Sequence, residues 1–378
     1  MASTLKNRPI KRNRKSKAAK RKKWIILISL EVVILLLLGC VSYGVSLISR
    51  YRYESVDEDA LYRPSFEKQT NADGETSDDS DTTDYEEVLE GYTNIAVLGV
   101  DDGGTNADVM IICSINNQTK EVKMASVYRD TYWLMPDGET YEKANSALTV
   151  YGKMTDVLSM LNMNLDIIID EYVVVNWAAV ARAVDMLGGV EVEITDEILT
   201  KGQLNGYITD VVKSTGLAST QISEPGTYVL DGVQTVAYSR IRYIDSDVGR
   251  TQRQREVIEK MLVKAKEASL GTLIELVKEI LPNITSSLSQ PEILGMATNV
   301  ASYQIIGQTG FPQNYETAYR VGNITLPNSK NWPLVPKTLE SCVIELHEFL
   351  YGKENYVPSK KVQEISKHIE EVSGVTLN

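Results

Sequence analysis

The chain has 378 residues, with 39 Lys and Arg against 51 Asp and Glu and a formal net charge of −12. Residues 1–23 hold 11 of the basic side chains and no acidic one, so the remainder carries 28 basic against 51 acidic residues, which excludes a globally basic, nucleic-acid-binding body. Three widely spaced cysteines and two histidines, both near the C-terminus, exclude a disulfide framework, a zinc ligand set and a Ser-His-Asp or Cys-His centre in the middle of the chain; one bridge between Cys113 and Cys342 stays open.

Residues 24–48 are apolar apart from Glu31, long enough to cross about 30 Å of hydrocarbon as a single helix. Lys20, Arg21, Lys22 and Lys23 stand directly before it, so the positive-inside bias puts the N-terminal tail, residues 1–23, in the cytoplasm and the body outside. The run exceeds the apolar core of a cleaved signal peptide; Leu37-Leu38-Gly39-Cys40 has some look of a lipoprotein box, which would also leave the body tethered outside. Residues 49–91 are rich in Asp, Glu, Ser and Thr and poor in branched apolar residues, the composition of a flexible acidic linker.

Beyond the linker, residues 94–100, 108–115 and 121–128 are short Val- and Ile-rich runs predicted as buried strands, with Asn117-Gln118 placed for a hairpin between the last two. A helix over 156–165, a strand over 171–176, a helix over 177–187 and a strand over 190–194 follow. Residues 230–242 read as a helix entering a strand or loop, 251–268 as a long amphipathic helix, and 270–280 and 291–303 as two more. Residues 304–306 and 319–326 suit sheet edges, and 360–372 a terminal helix. The mixed order predicts an α/β or α+β domain with helices flanking a mixed sheet.

Three places offer chemistry. Asp101 closes one predicted strand and Asp108 opens the next, so the loop between them brings two carboxylates toward one cation, and oxygen-only ligation suits Mg²⁺; taken alone, Asp and Gly there are ordinary turn residues. Arg129 ends the third strand, with Lys143 shortly after; both suit phosphate oxygens, and a surface pair of Arg129 with Asp130 is the plainer alternative. Ser239-Arg240-Ile241-Arg242 is followed by Asp247, Arg250, Arg253, Gln254 and Arg255. On a strand Arg240 and Arg242 would share a face and form a pair of forks for phosphate or pyrophosphate, whereas a solvated helix face is the alternative for 250–255 and the preferred one for Arg255. Together these are the parts of a phosphoryl-transfer site: carboxylates for a metal, arginines for the transferring and leaving groups.

In order, the runs NIAVLGVD, DVMIICSIN, TKEVKMASVYRDTYW, KANSAL, EYVVVNWAAVARAVDMLGGVEVEI, LDGVQTVAYSRIR and DVGRTQRQREVI are similar to those of the LytR-CpsA-Psr (LCP) family, over residues 93–262. The resemblance implies an α/β catalytic domain, residues 92–326, with a C-terminal helical extension, 327–378, packed on it. It implies an apolar pocket for a polyprenyl chain, whose pyrophosphate is held at the mouth by arginines and Mg²⁺ or Mn²⁺. It further implies a phosphotransferase that moves an anionic glycopolymer, such as a teichoic acid or capsule, from undecaprenyl pyrophosphate in the membrane to peptidoglycan. Position by position, Asp101 and Asp108 match the acidic pair at the metal, Asp101 being also a candidate base for the acceptor hydroxyl. Arg129, Arg240 and Arg242 match the phosphate-binding arginines. Lys143 and Gln254 match further polar residues of the mouth, and Asp247, Arg250 and Arg253 fall within the same motif. Many members have an arginine where this chain has Asn106, which removes one expected phosphate contact. Val180, Val184, Val257, Ile258, Met261 and Leu262 suit a pocket lining, but a plain hydrophobic core uses the same pattern and is the preferred reading. A non-catalytic lipid or glycopolymer binding protein, and a lipid pyrophosphatase using water as acceptor, are the alternatives; a cytoplasmic DNA regulator conflicts with the topology and the acidic body.

Overall fold

The computed structural model describes residues 51–65, 88–100, 107–317, 333–354 and 356–376. The tail and apolar run at 1–48, Asp101, Asn106 and the edge expected at 319–326 lie outside the described residues. Among the described residues no helix is long and apolar enough to cross a membrane.

The strands are β1 (Arg52–Tyr53), β2 (Tyr92–Val100), β3 (Ala107–Asn116), β4 (Glu121–Val127), β5 (Tyr132–Leu134), β6 (Tyr141–Lys143), β7 (Glu171–Asn176), β8 (Val190–Ile194), β9 (Gly226–Leu230), β10 (Ile284–Ser286), β11 (Gln304–Phe311), β12 (Tyr315–Thr317) and β13 (Leu334–Pro336). The helices are α1 (Ser146–Tyr151), α2 (Met154–Leu165), α3 (Trp177–Met186), α4 (Asp196–Leu199), α5 (Leu204–Thr215), α6 (Gly232–Tyr238), α7 (Ser246–Glu267), α8 (Leu270–Ile280), α9 (Gln290–Thr298), α10 (Leu339–Tyr351) and α11 (Lys360–Ser373).

A seven-stranded mixed sheet of order β1-β10-β7-β2-β3-β4-β11 forms the centre. The predicted hairpin joins β3 to β4: Asn116 Oδ1 accepts from the amides of Gln118 and Thr119, the local side-chain bonding that makes Asn a turn former. Side chains alternate across a strand, so each central strand feeds two cores. Ala96, Leu98, Met110, Ile112 and Ala125 face one; Ile95, Ile111, Ile115 and Met124 face the other. The first core is closed by α2, α10 and α11, through side chains such as Leu161, Val343, Leu346 and Ile369 at 1% exposure or less. The expected C-terminal extension is therefore built into the main core. Cys113 packs on the second face and Cys342 in the first core, so the sheet lies between them and both are free thiols; the open bridge is not formed.

Part of the expected linker is also folded. β1 pairs with β10, Leu61 is buried, the amide of Tyr62 donates to Ser159 Oγ and the hydroxyl of Tyr172 to the carbonyl of Glu54. Residues 51–65 thus belong to the body, because the tyrosines and Leu61 bring apolar surface that an average over the acidic stretch conceals.

Asp166 ends α2 with φ of 55° and is fully buried. Its Oδ2 accepts from the Tyr356 hydroxyl and the Ser359 amide, while Oδ1 has no hydrogen-bond partner. Burial raises its carboxyl above the ordinary range, outweighing those two bonds. A raised folded-state pKa favours the protonated acid, so Asp166 stabilises the fold least above that value and more as the pH falls toward the unfolded value, about 4. Asn tolerates the left-handed backbone and keeps the acceptor without the charge. We expect Asp166→Asn to be at least as stable as the wild type at pH 7, with the difference shrinking toward pH 4, in urea unfolding followed across that range; a variant less stable at pH 7 would contradict the assignment.

Beside the sheet, α3, the antiparallel pair β8 and β9, α5 and α6 enclose a smaller core around Val184, Val190, Leu204, Ile208 and Ile241. Gly232 opens α6 where a Cβ would stand 1.9 Å from the Ala181 carbonyl oxygen, so only glycine lets α6 approach α3. This contact fixes the helix whose C-terminal end carries Arg240 and Arg242.

Candidate active site

Between the second face of the sheet and helices α3, α6, α7 and α8 lies a cavity of about 550 Å³. Val97, Val109 and Ile111 of the sheet, Val180 and Ala183 of α3, and Val257, Ile258 and Met261 of α7 line it. Four of the six residues of that apolar pattern, Val180, Val257, Ile258 and Met261, therefore border the cavity while also packing on the hydrophobic cores beside it. Val184 does pack in the smaller core, and Leu262 is not part of the lining. The difference arises because α3 and α7 are held apart over the sheet, so the sides they turn toward each other border open space.

Charged residues gather at one end. Asp108, at the start of β3, accepts from Arg129 Nη1 at 2.7 Å and Arg242 Nη2 at 3.3 Å, and its carbonyl accepts from Arg250 Nη2 at 3.1 Å. Asp247 stands behind them, with its Oδ1 3.3 Å from Arg250 Nη2 and 3.8 Å from Arg242 Nε, and its Oδ2 3.4 Å from Arg129 Nε. The last is a charge contact without hydrogen-bond alignment, since both atoms are buried and lack a hydrogen-bond partner. Asp108 and Arg242 are 25% and 33% exposed, which brings this end of the cavity to solvent.

Arg240 and Arg242 do not lie on a strand. The end of α6 tightens instead: the amide of Arg240 donates to the carbonyl of Ala237 and that of Ile241 to the carbonyl of Tyr238. Ile241, fully buried, pins the loop, and both flanking arginines line the cavity. Arg240 lays its guanidinium 3.7 Å from the ring centre of Trp177, and its Nη1 is buried without a hydrogen-bond partner. Trp177 reaches this place because β7 runs straight into α3, where Asn176 Oδ1 accepts from the Ala179 amide as an N-cap.

The remaining predicted residues divide. Arg250, 2% exposed, and Gln254 line the cavity. Arg253 turns away, giving Nη1 and Nη2 to the two carboxylate oxygens of Asp245 at 2.7 and 2.9 Å and Nη2 also to the Ile241 carbonyl. It braces the 241–245 turn from beneath, and Gly249 permits this, because a Cβ there would overlap the Asp245 carboxyl group. Lys143 pairs with Asp130 at 3.3 Å and does not line the cavity. Arg255, expected on a solvated face, is only 6% exposed, since α7 is embedded on several sides from Thr251 to Val257. Trp177, Tyr207 and the linking role of Asp247 were not singled out from the sequence. The strand-to-helix junction VVVNW was the one available signal, since sites favour the carboxyl ends of strands.

Burial by itself would raise the Asp108 carboxyl, but the charges of Arg129, Arg250 and Arg242 outweigh it and hold the group below the ordinary carboxylate range. Burial depresses Arg250 to about 10, against the attraction of Asp247, which leaves it charged at neutral pH. Arg129, Arg240, Arg242 and Arg250 outnumber the described carboxylates of Asp108, Asp247 and Asp130, the last of which is shared with Lys143, and leave an excess of positive charge at the mouth of an apolar cavity. Asp108 is an anionic oxygen donor facing that cavity, whereas Asp247 is outside the lining and taken up by the arginines. A single carboxylate oxygen of this kind fits a hard divalent cation that completes its shell with phosphate oxygens and water. Among the described residues no group of three or more His, Cys, Asp or Glu side chains forms a protein cage.

Fold and site together define an α/β protein with an apolar cavity whose lining includes four arginines. The chain belongs to the LytR-CpsA-Psr family: the LytR_cpsA_psr family model matches residues 61–332. It is 30% identical over 240 residues to biofilm regulatory protein A of Streptococcus mutans, covering 57% of this chain and 56%, little more than half, of that protein. It is 29% identical over 237 residues to the polyisoprenyl-teichoic acid–peptidoglycan teichoic acid transferase TagT of Bacillus subtilis, covering 60% of this chain and 69% of the relative. A solved structure of TagT bound to LIIa-WTA shares the fold, with a TM-score of 0.52 and 20% identity over 85% of this chain and all of that one.

Proposed function

We propose that this protein transfers an anionic glycopolymer, of teichoic acid or capsule type, from a polyprenyl pyrophosphate carrier to peptidoglycan. The observation that carries the reading is the joining of an apolar cavity to an end lined by Arg129, Arg240, Arg242 and Arg250. The names of its teichoic acid transferase relatives favour the same substrate class. In this reading the polyprenyl chain fills the cavity and the arginines bind the pyrophosphate through charge-assisted hydrogen bonds. An acceptor hydroxyl of peptidoglycan attacks the phosphorus next to the sugar. The new phosphodiester forms as the bond to the bridging oxygen breaks, and polyprenyl monophosphate leaves. The guanidiniums offset charge on the phosphate oxygens as it shifts toward the leaving group. Asp108, with Asp101 from outside the described residues, would hold Mg²⁺ or Mn²⁺, which when bound neutralises further phosphate charge. Asp101 is also the proposed base for the acceptor hydroxyl.

The same reading makes residues 24–48 a single membrane span, with residues 1–23 in the cytoplasm and the catalytic body outside, where carrier lipid and peptidoglycan meet. The test is transfer by Arg240→Ala, with Arg240→Lys beside it. Losing one such donor costs about 10²–10³ in rate. The Ala variant should fall by that factor while staying folded, and Lys should recover only part, because it cannot lie flat on Trp177. Wild-type rates in the Ala variant would remove Arg240 from the site.

A further inference from the structure

Along one side of the charged end, aromatic rings lead from the cavity to the surface. Arg240 lies 3.7 Å from the ring centre of Trp177 and 5.4 Å from that of Tyr207. Tyr207 is in turn 6.2 Å, centre to centre, from Tyr243, at an interplanar angle of 38°. Trp177, Arg240 and Tyr207 line the cavity, whereas Tyr243 is outside the lining and 66% exposed. A single exposed apolar side chain is ordinary. Tyr243 differs in three ways: it follows Arg242 directly, it touches a ring that reaches the cavity, and its turn is braced by the Arg253 grip on Asp245 and Ile241. A large ring is thus presented to solvent on a fixed turn, next to the arginines, with little ordering entropy left to lose on binding.

We propose that Tyr243, supported by Tyr207, is a stacking platform for a pyranose ring at the cavity mouth. The chemistry follows from the surface itself. The C–H face of a sugar is apolar and packs on an aromatic ring, while its hydroxyls stay in water at the edge. Tyrosine suits such a half-wet contact, being apolar in body and polar at its tip. The inference rests on the transfer reading: with lipid in the cavity and pyrophosphate on the arginines, the group just outside is a sugar. It is either the first residue of the carried glycan or the accepting residue of the wall.

Binding to the full chain tests this with three ligands: a bare polyprenyl pyrophosphate, the same lipid carrying one N-acetylhexosamine, and a lipid-free peptidoglycan disaccharide fragment. Each is titrated into the wild type, Tyr243→Ala and Tyr243→Phe. Loss of a stacked ring should weaken binding about five- to tenfold. If Tyr243→Ala loses this factor for the sugar-bearing lipid, keeps bare-lipid affinity and is rescued by Phe, the platform is established for the donor sugar. The same loss confined to the disaccharide establishes it for the acceptor. Unchanged binding of all three, or an equal loss on the bare lipid, overturns the platform and leaves the transfer reading standing. A wild type that binds neither lipid overturns the transfer reading, and the platform with it.

Discussion

Asp247→Asn is expected to lower transfer at least a hundredfold and to destabilise the fold by about 3–5 kcal/mol, the usual cost of removing one partner from a buried ion network. Its carboxylate is 12% exposed and lies within 3.8 Å of three guanidiniums, those of Arg129, Arg242 and Arg250. Asn keeps the shape and one acceptor but leaves those charges with Asp108 and, 3.8 Å from Arg129 Nε, Asp130. Mutual repulsion should then move Arg242, the most exposed of the three, away from the cavity. Asp108→Asn provides the contrast: it faces the ligand and is more exposed, so it should abolish transfer with a smaller loss of stability. Urea unfolding and transfer rate measured on both variants separate the two roles. An Asp247→Asn protein as stable and active as the wild type would mean that the network does not hold the arginines in place.

Ile258→Trp should weaken binding of long polyprenyl pyrophosphates more than tenfold while sparing carriers of one or two isoprene units. Ile258 lines the cavity from α7, so an indole there enters open space and shortens the room for the chain. Val184→Trp is the control. That side chain is fully buried in the smaller core, where added volume strains a packed interior by about 1–3 kcal/mol or more and gives no selectivity for chain length. Equal affinity of Ile258→Trp for long and short carriers would show that the lipid lies elsewhere.

Ile258 and Val184 also show where sequence reasoning ends. Strand and helix periodicity marked Val180, Val184, Val257 and Ile258 as apolar faces, but a face that packs and a face that borders a cavity have the same composition. Only the spacing of α3 and α7 over the sheet separates them. The central strands were legible because Val and Ile are concentrated in short runs with turn residues between. The arginines were legible because so many like charges near one another need an anionic partner. Their geometry was not: the sequence left a strand or a loop open after the helix, and buried Ile241 with the tightened end of α6 makes it a loop. Arg253 and Arg250, three residues apart on one helix, take opposite roles, one bracing a turn and the other lining the cavity, a division set by contacts distant in sequence. Residues 51–65 were hidden by their acidic neighbours, and nothing in the local sequence tied Trp177 to Arg240.

The most direct measurement of the central claim is to incubate the full chain in detergent with a polyprenyl pyrophosphate-linked oligosaccharide and peptidoglycan fragments, with and without Mg²⁺, and to weigh the products. Transfer predicts a peptidoglycan fragment heavier by the sugar phosphate, together with polyprenyl monophosphate in equal amount. Tight lipid binding with no adduct under any divalent cation, or release of free sugar phosphate to water alone, would contradict it.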